Sequence, residues 1–317
     1  MKDTAAALKA LHAALTRVIL GKGEVIFCLL AALIARGHVL LDDVPGTGKT
    51  MLARTLAQSM QATLRRLQCT PDLLPSDVTG SAIWRQDLQR FEFVPGPAFA
   101  DVLLVDEINR ATPRAQACLL ECMEERQISV DGQTHKLPDG FFVIATQNPA
   151  GFHGTFPLPE AQLDRFMLRL RLGYPSAEHE AAMLAARVHG EPLADVAAVL
   201  TPAALRELQD AARAIQVHAD VQRYIAAVVR ATRSAPDVEL GASPRASLAL
   251  MRASQAVALL QGKPFVTPDH VKRIAVAVIA HRLVLRQNND VTAAERAALA
   301  ALESVAVPIA AAPVASA

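Results

Sequence analysis

The stretch "HVLLDDVPGTGKTMLARTLAQSM", residues 38–60, orders three things: a short apolar run, a glycine-rich turn, and a segment with apolar residues at helical spacing. A strand that ends on such a turn and feeds a helix builds a phosphate cradle. Loop N–H groups and the helix N-terminus then aim positive partial charge at one point. The turn nearly fits the pattern G-x-x-x-x-G-K-[ST]. It departs at the first position, where Asp43 stands in place of glycine. Gly46 and Gly48 would let the backbone approach phosphate. Lys49 would reach the β- and γ-phosphates of ATP, and the Thr50 hydroxyl would coordinate Mg²⁺. The candidate nucleotide-binding residues are therefore Asp43, Val44, Pro45, Gly46, Thr47, Gly48, Lys49, Thr50 and Met51. Aspartate tolerates left-handed geometry better than most residues, so the turn survives the change. A carboxylate near a phosphate nevertheless repels it unless it points away. A chance glycine-rich turn is the alternative.

Two further runs bear on that choice. "DVLLVDE" at 101–107 places Asp106 and Glu107 at the end of a strand candidate, where an α/β sheet binds its ligands. Asp106 would hold Mg²⁺ through water, and Glu107 would polarise an attacking water as general base. The plainer alternative is an acid pair capping the next helix, which starts near Thr112-Pro113. "FFVIATQN" at 141–148 ends on Asn148, whose amide can orient water beside the γ-phosphate without competing for metal. Alone, Asn148 would be a turn asparagine before Pro149. Strands repeating with helices between them indicate an α/β fold with a mainly parallel sheet.

Two segments interrupt this rhythm. "ISVDGQTHKL" at 128–137 alternates around Asp131-Gly132, a pair favoured in two-residue hairpin turns. "AIWRQDLQRFEFVPG" at 82–96 alternates as well and forms a second hairpin candidate, in which Trp84, Phe91 and Phe93 either grip a partner or pack the insert, packing being slightly favoured. After Tyr174-Pro175 strand signals vanish, and alanine-rich helices begin at Thr201-Pro202, Ser243-Pro244 and Thr267-Pro268. The expected organisation is an α/β domain over 1–175, an all-helical domain over 176–287, and a C-terminal segment over 288–317. The last, ending "VPIAAAPVASA", is expected to be disordered at least in part.

Composition narrows the function classes. The chain is 52% hydrophobic and 20% charged with a net charge of +1, which gives no electrostatic reason for tight nucleic-acid binding. "VIFCLLAALIA" at 25–35 ends at Arg36 and is too short to span a bilayer, and no secretory signal is expected. Cys28, Cys69, Cys118 and Cys122 lack zinc-site spacing and read as reduced thiols, which suits the cytoplasm.

In their order, "DVPGTGKT", "VLLVDEINRA", "VIATQNP", "LPEAQLDRF" and "GASPRASLAL" resemble an AAA+ ATPase of the MoxR family. The resemblance runs from "GKGEVIFCLLAALIARGHVLL" to "FVTPDHVKRIAVAVIAHRL" and so covers nearly the whole chain. It implies an AAA+ P-loop domain with a helical lid, and it removes much of the oddity of Asp43, since the family accepts an acid there. It implies that Arg165, in "LDRF", is the finger reaching into a neighbouring subunit's nucleotide, and that Arg245, in "SPRAS", is the second sensor. A guanidinium suits both tasks because it binds phosphate oxygens bidentately and stays charged. Without the motif order, Arg165 would read as a salt-bridge partner of Asp164 or Glu160, and Arg245 as a solvated helix residue. A finger acting in trans implies self-association into a ring, a hexamer being the family's usual form. The resemblance further implies a chaperone-like remodeller, driven by Mg²⁺-dependent ATP hydrolysis. Such a protein assembles or activates a client protein complex, often one related to a metal cofactor, together with a partner carrying a von Willebrand factor A-type domain. Two competing readings are a nucleic-acid motor, for which Arg65, Arg66, Arg85 and Arg90 supply some positive charge, and a slow nucleotide-gated interaction module.

Overall fold

The computed structural model describes residues 2–44, 46–148, 156–188, 190–287 and 290–308. These divide into two compact units, Met1–Ala211 and Ala212–Ala317.

The first unit opens with two helices, α1 (Lys2–Val18) and α2 (Gly23–Ile34), followed by strand β1 (Val39–Asp42) and helix α3 (Lys49–Ser59). Strand β2 (Leu64–Gln68), the short helix α4 (Pro75–Thr79) and a hairpin of β3 (Gly80–Arg85) and β4 (Arg90–Pro95) come next. Strand β5 (Val102–Asp106) and helix α5 (Pro113–Glu125) lead to a second hairpin, β6 (Gln127–Val130) and β7 (Gln133–Lys136). Strand β8 (Phe142–Gln147), helix α6 (Glu160–Leu163) and strand β9 (Leu168–Leu170) complete the sheet. Helices α7 (Ala177–Val188) and α8 (Pro202–Ala214) follow, and the division between units falls inside α8.

The three apolar runs singled out in the sequence become the inner strands of one five-stranded sheet of order β2-β5-β8-β1-β9. All its pairings are parallel. Strands covered on both faces read as continuous apolar runs, and β1 and β5 are buried at every residue. The two edges carry no such signal. β2 is "LRRLQ" and β9 is "LRL", and charge on an edge strand discourages pairing with foreign strands. On one face, Leu119, Leu120 and Met123 of α5 join Leu40, Val105, Ala145, Phe141 and Phe166 in a single core. α1 packs against α2 and α3.

The helical character expected from 176 onward is found, but residues 176–211 pack with the first unit. The N–H groups of Val199 and Leu200 donate to the Ser59 carbonyl, Gln209 donates to the Leu33 carbonyl, and Arg36 pairs with Asp210. The second unit holds α9 (Ala219–Ala231), α10 (Pro244–Leu260), α11 (Pro268–Ile279) and α12 (Val291–Glu303). The Ser/Thr-Pro starts are as expected: Ser243 and Thr267 occupy the N-cap positions of α10 and α11. Two features go beyond expectation. Val238–Leu240 (β10) pairs with Val284–Leu285 (β11), strands too short to leave a periodic signature. α12, within the stretch 288–317, is capped by Asp290 and packs on α9 and α11 through Ala294, Ala298, Ala301 and Leu302. Residues 309–317 lie outside the described residues.

Both hairpins form in the registers that alternation implies. Asp131 (φ 50°) and Gly132 (φ 76°) make the left-handed two-residue turn. At the base of the other hairpin, a Cβ on Gly80 would sit 2.1 Å from the Val94 carbonyl oxygen, so only glycine fits. Phe93 stacks on His135 with centroids 4.0 Å apart, joining the two hairpins. Trp84 and Phe91 touch each other edge to face yet remain 54% and 69% exposed. Packing therefore accounts for Phe93 but not for the other two.

Candidate active site

The parallel sheet sends β1, β5 and β8 out on the same side, so residues just past their ends meet. From β1 the chain enters the loop at 43–48. Gly46 and Gly48 adopt φ of 85° and 92°, and a Cβ on either would meet nothing within 4 Å. Glycine is needed there for backbone conformation and leaves the loop open on that side. Asp43 differs from expectation in one respect. Positive φ occurs at Arg36, Gln61, Gln89, Glu107, Arg126 and Asp131 among the described non-glycine residues, and Asp43 is not one of them. Its tolerance of left-handed geometry is unused. Its carboxylate accepts hydrogen bonds from the N–H groups of Leu172 and, at 2.9 Å, Gly173, beyond the end of β9. Pro45 lies outside the described residues. Thr47 donates from its hydroxyl to the Val44 carbonyl at 3.3 Å. Thr50 and Met51 fall in the first turn of α3, whose N-terminus opens on the loop.

Lys49, 9% exposed, donates to the carbonyls of Asp43 at 2.7 Å and Val44 at 2.9 Å. Burial lowers its pKa. Four carboxylates, those of Asp43, Asp106, Asp42 and Glu107 in falling order of effect, oppose that shift. The lysine of the loop and the acid pair of β5 therefore share one electrostatic environment.

Asp106 ends β5 and is buried; its carboxylate accepts from Arg66 Nε at 2.6 Å and from the Thr146 hydroxyl at 3.4 Å. Glu107 follows in left-handed conformation (φ 57°), uncommon for a residue with a long side chain. Three contacts fix it: its N–H donates to the Thr146 hydroxyl at 2.9 Å, Asn148 Nδ2 donates to Oε1 at 3.2 Å, and Arg110 pairs with Oε2 at 2.9 Å. Glu107 precedes a single 3-10 turn, Ile108–Arg110, and α5 starts later, with Thr112 as its N-cap. The helix-capping alternative for the acid pair therefore fails for geometric reasons. Asn109, buried, donates to the Asn148 carbonyl at 3.3 Å, and its Oδ1 has no partner among the described residues.

Arg165 pairs with Glu124 in the last turn of α5 at 3.3 Å, across elements and not with the neighbours suggested by sequence. Both line a cleft with Glu121, Glu125 and Gln162. Arg245 is exposed in the first turn of α10, in the second unit.

Sequence reasoning missed Arg66, Thr146, Asn109 and Arg110. Thr146 had a usable signal, because in a strand it shares a face with Asn148, two residues on. Arg66 had none, since its partner lies 40 residues away. The donors present suit Mg²⁺, which prefers hard oxygens: a buried carboxylate at Asp106 and a hydroxyl at Thr50. Among the described residues no helix is long and apolar enough to cross a membrane.

Comparisons with known proteins agree with this geometry. Residues 38–168 match the family described as "ATPase family associated with various cellular activities (AAA)", and residues 230–303 match "AAA lid domain". The uncharacterized protein YeaC of Bacillus subtilis is 47% identical over 271 residues, 86% of this chain and 85% of YeaC. Chaperone MoxR1 of Mycobacterium tuberculosis is 41% identical over 85% of this chain and 73% of its own length. Protein MoxR of Paracoccus denitrificans is 33% identical over 90% and 91%. A crystal structure from Cytophaga hutchinsonii, of a protein provisionally assigned as an ATPase, superposes with a TM-score of 0.88 at 32% identity, covering 96% of both chains. With these identities over most of both chains and with the AAA and lid models matched, the chain belongs to the MoxR family of AAA+ ATPases.

Proposed function

We propose that the chain binds Mg²⁺-ATP and hydrolyses it to remodel, assemble or activate a client protein complex. The observation that carries this reading is the meeting of Lys49, Asp106, Glu107 and Asn148 beside the ends of three adjacent parallel strands. The backbone at 43–51 and the α3 N-terminus cradle the phosphates, with Lys49 moving from its own loop carbonyls to phosphate oxygens. Thr50 and Asp106 hold Mg²⁺, which when bound draws charge off the phosphate oxygens. Glu107 takes the proton of the attacking water, and Asn148 fixes the carboxylate that does so. Arg165 serves a neighbouring protomer's nucleotide, and Arg245 acts as second sensor. A site finished by a neighbour requires a ring, which we take to be hexameric. The two hairpins, joined through Phe93 and His135 and bearing exposed Trp84 and Phe91, relay movement to the client. A partner with a von Willebrand factor A-type domain, a client related to a metal cofactor and a cytoplasmic setting complete the reading.

The nucleic-acid alternative loses support from the ion pairs. Arg66 is bound to Asp106, and Arg85 to Asp87 and Glu92. The slow-module alternative is disfavoured by the contact between Asn148 and Glu107, which would hold the proposed base in place. The test is a pair of variants: Lys49→Ala abolishes ATP binding, and Glu107→Gln binds ATP but turns it over poorly. Wild-type hydrolysis by both would end the assignment. Proteins that co-purify with Glu107→Gln in ATP identify the client.

A further inference from the structure

We propose that Asp43 is a positioning residue for the phosphate loop, fastening it to the turn that leaves β9 so that loop and Lys49 hold the shape that binds triphosphate. The proposal rests on the nucleotide-site reading above. Asp43 is joined in three directions. Its N–H donates to the Gln147 carbonyl at 3.3 Å, tying it to the end of β8. Its own carbonyl accepts from Lys49 Nζ at 2.7 Å, tying it to the loop lysine. Its two carboxylate oxygens accept separately from the N–H groups of Leu172 and Gly173.

Those two donors are consecutive, and Gly173 is left-handed at φ 62°, an arrangement that turns successive N–H groups toward one anion. Asp43 is 6% exposed and Leu172 3%, so bulk water competes little with the carboxylate for these donors. Buried N–H groups without partners are costly, which makes the fastening strong. The turn is itself held, because Lys22 Nζ donates to the Tyr174 carbonyl at 2.8 Å. The carboxylate is thus committed to backbone donors that the phosphates do not use, and its repulsion of the nucleotide is offset. Glycine at this position would supply conformational freedom that the backbone at 43 does not require.

The outcome runs against the signature: Asp43→Gly completes the G-x-x-x-x-G-K-[ST] pattern and weakens nucleotide binding. In the full-length chain, titration with a fluorescent ATP analogue and steady-state phosphate release are compared for wild type, Asp43→Gly, Asp43→Asn and Lys49→Ala. Asp43→Gly raises Kd and KM by about 10-fold or more, the equivalent of one lost hydrogen bond to a charged group, while kcat stays within about twofold. Asp43→Asn keeps one acceptor but turns an N–H toward an N–H, so it falls between, about threefold or more above wild type. A purely structural role would lower the melting temperature and leave Kd unchanged where the variant is folded. If Asp43→Gly binds like wild type while Lys49→Ala has lost binding, the proposal is overturned and the nucleotide site stands. If Lys49→Ala also binds like wild type, the nucleotide site falls and this inference with it. Should Asp43→Gly not fold, the isosteric Asp43→Asn decides: unchanged Kd overturns the proposal, weakened Kd supports it.

Discussion

Replacing Asn148 by alanine isolates the contact that would turn Glu107 from a strand-end acid into the positioned base proposed above. The Asn148 Nδ2 to Glu107 Oε1 distance is 3.2 Å, at the long end of the hydrogen-bond range. A bond to a charged group contributes about 1.5–3 kcal/mol, and this length argues for the lower figure. Arg110 still pairs with the other oxygen at 2.9 Å after the change, but that pair is partly exposed and worth under about 1 kcal/mol. The loss in transition-state positioning is therefore about 1.5 kcal/mol or slightly more, a fall in kcat of about 10- to 30-fold. KM should stay within about twofold, because the Asn148 amide acts on Glu107 whereas the proposed phosphate contacts come from the loop at 43–51. The assay is phosphate release against ATP concentration, repeated at rising protein concentration until the rate per protomer is flat, since a site shared between protomers is incomplete in dilute solution. Combining Asn148→Ala with Glu107→Gln should add little to Glu107→Gln alone, as residues acting through one contact are not additive. A kcat for Asn148→Ala within about twofold of wild type, or a change confined to KM, would show that the contact has no part in hydrolysis.

Three other outcomes follow from the same structure. Arg110→Ala removes one of the two groups holding the Glu107 carboxylate, and kcat should change by about threefold or less, well under the effect of Asn148→Ala in the same assay. His38 is buried and neutral, accepting from the Val143 N–H at Nδ1 and donating from Nε2 to the Met123 carbonyl, and burial pulls its pKa from 6.5 to about 3. Above pH 6.5 neither state binds this proton; as pH falls toward 3 the unfolded chain takes it first, so stability drops by about 1.4 kcal/mol per pH unit. Urea unfolding between pH 7 and 4 should accordingly be steeper in pH for wild type than for His38→Asn by about one proton. Gly80→Ala should cost several kcal/mol or prevent folding of the first hairpin, read by thermal unfolding, because the added carbon meets the Val94 carbonyl oxygen at 2.1 Å.

Much of the fold was legible because burial on both faces of a parallel sheet leaves apolar runs, as at Leu103–Val105 and Val143–Ala145. Turn and cap chemistry was legible where it is local: Asp131-Gly132 in its hairpin, Thr112 before α5. What escaped was set by contacts between distant residues. The edge strands β2 and β9 carry arginines that pair with Asp106 and Asp42, acids on the neighbouring strands. Asp43 could be seen to need its carboxylate turned away, but the donors that hold it lie about 130 residues on. For Arg165, sequence neighbours suggested Asp164 or Glu160, whereas the fold brings it to Glu124, in the last turn of α5. In the candidate site, Lys49, Asp106, Glu107 and Asn148 were all readable from motif order; the groups that orient them were not.

The proposed sharing of the nucleotide site between protomers is tested most directly by mixing two variants, each expected to be inactive alone. Glu107→Gln protomers lack the proposed base but carry Arg165; Arg165→Ala protomers lack the proposed finger but carry Glu107. In a mixed ring, a nucleotide held by an Arg165→Ala protomer beside a Glu107→Gln neighbour has both groups. Random equimolar mixing should then restore about a quarter of wild-type turnover per site. Turnover no greater than the mean of the two separate variants, in rings shown to contain both, would contradict a nucleotide completed by the neighbouring protomer.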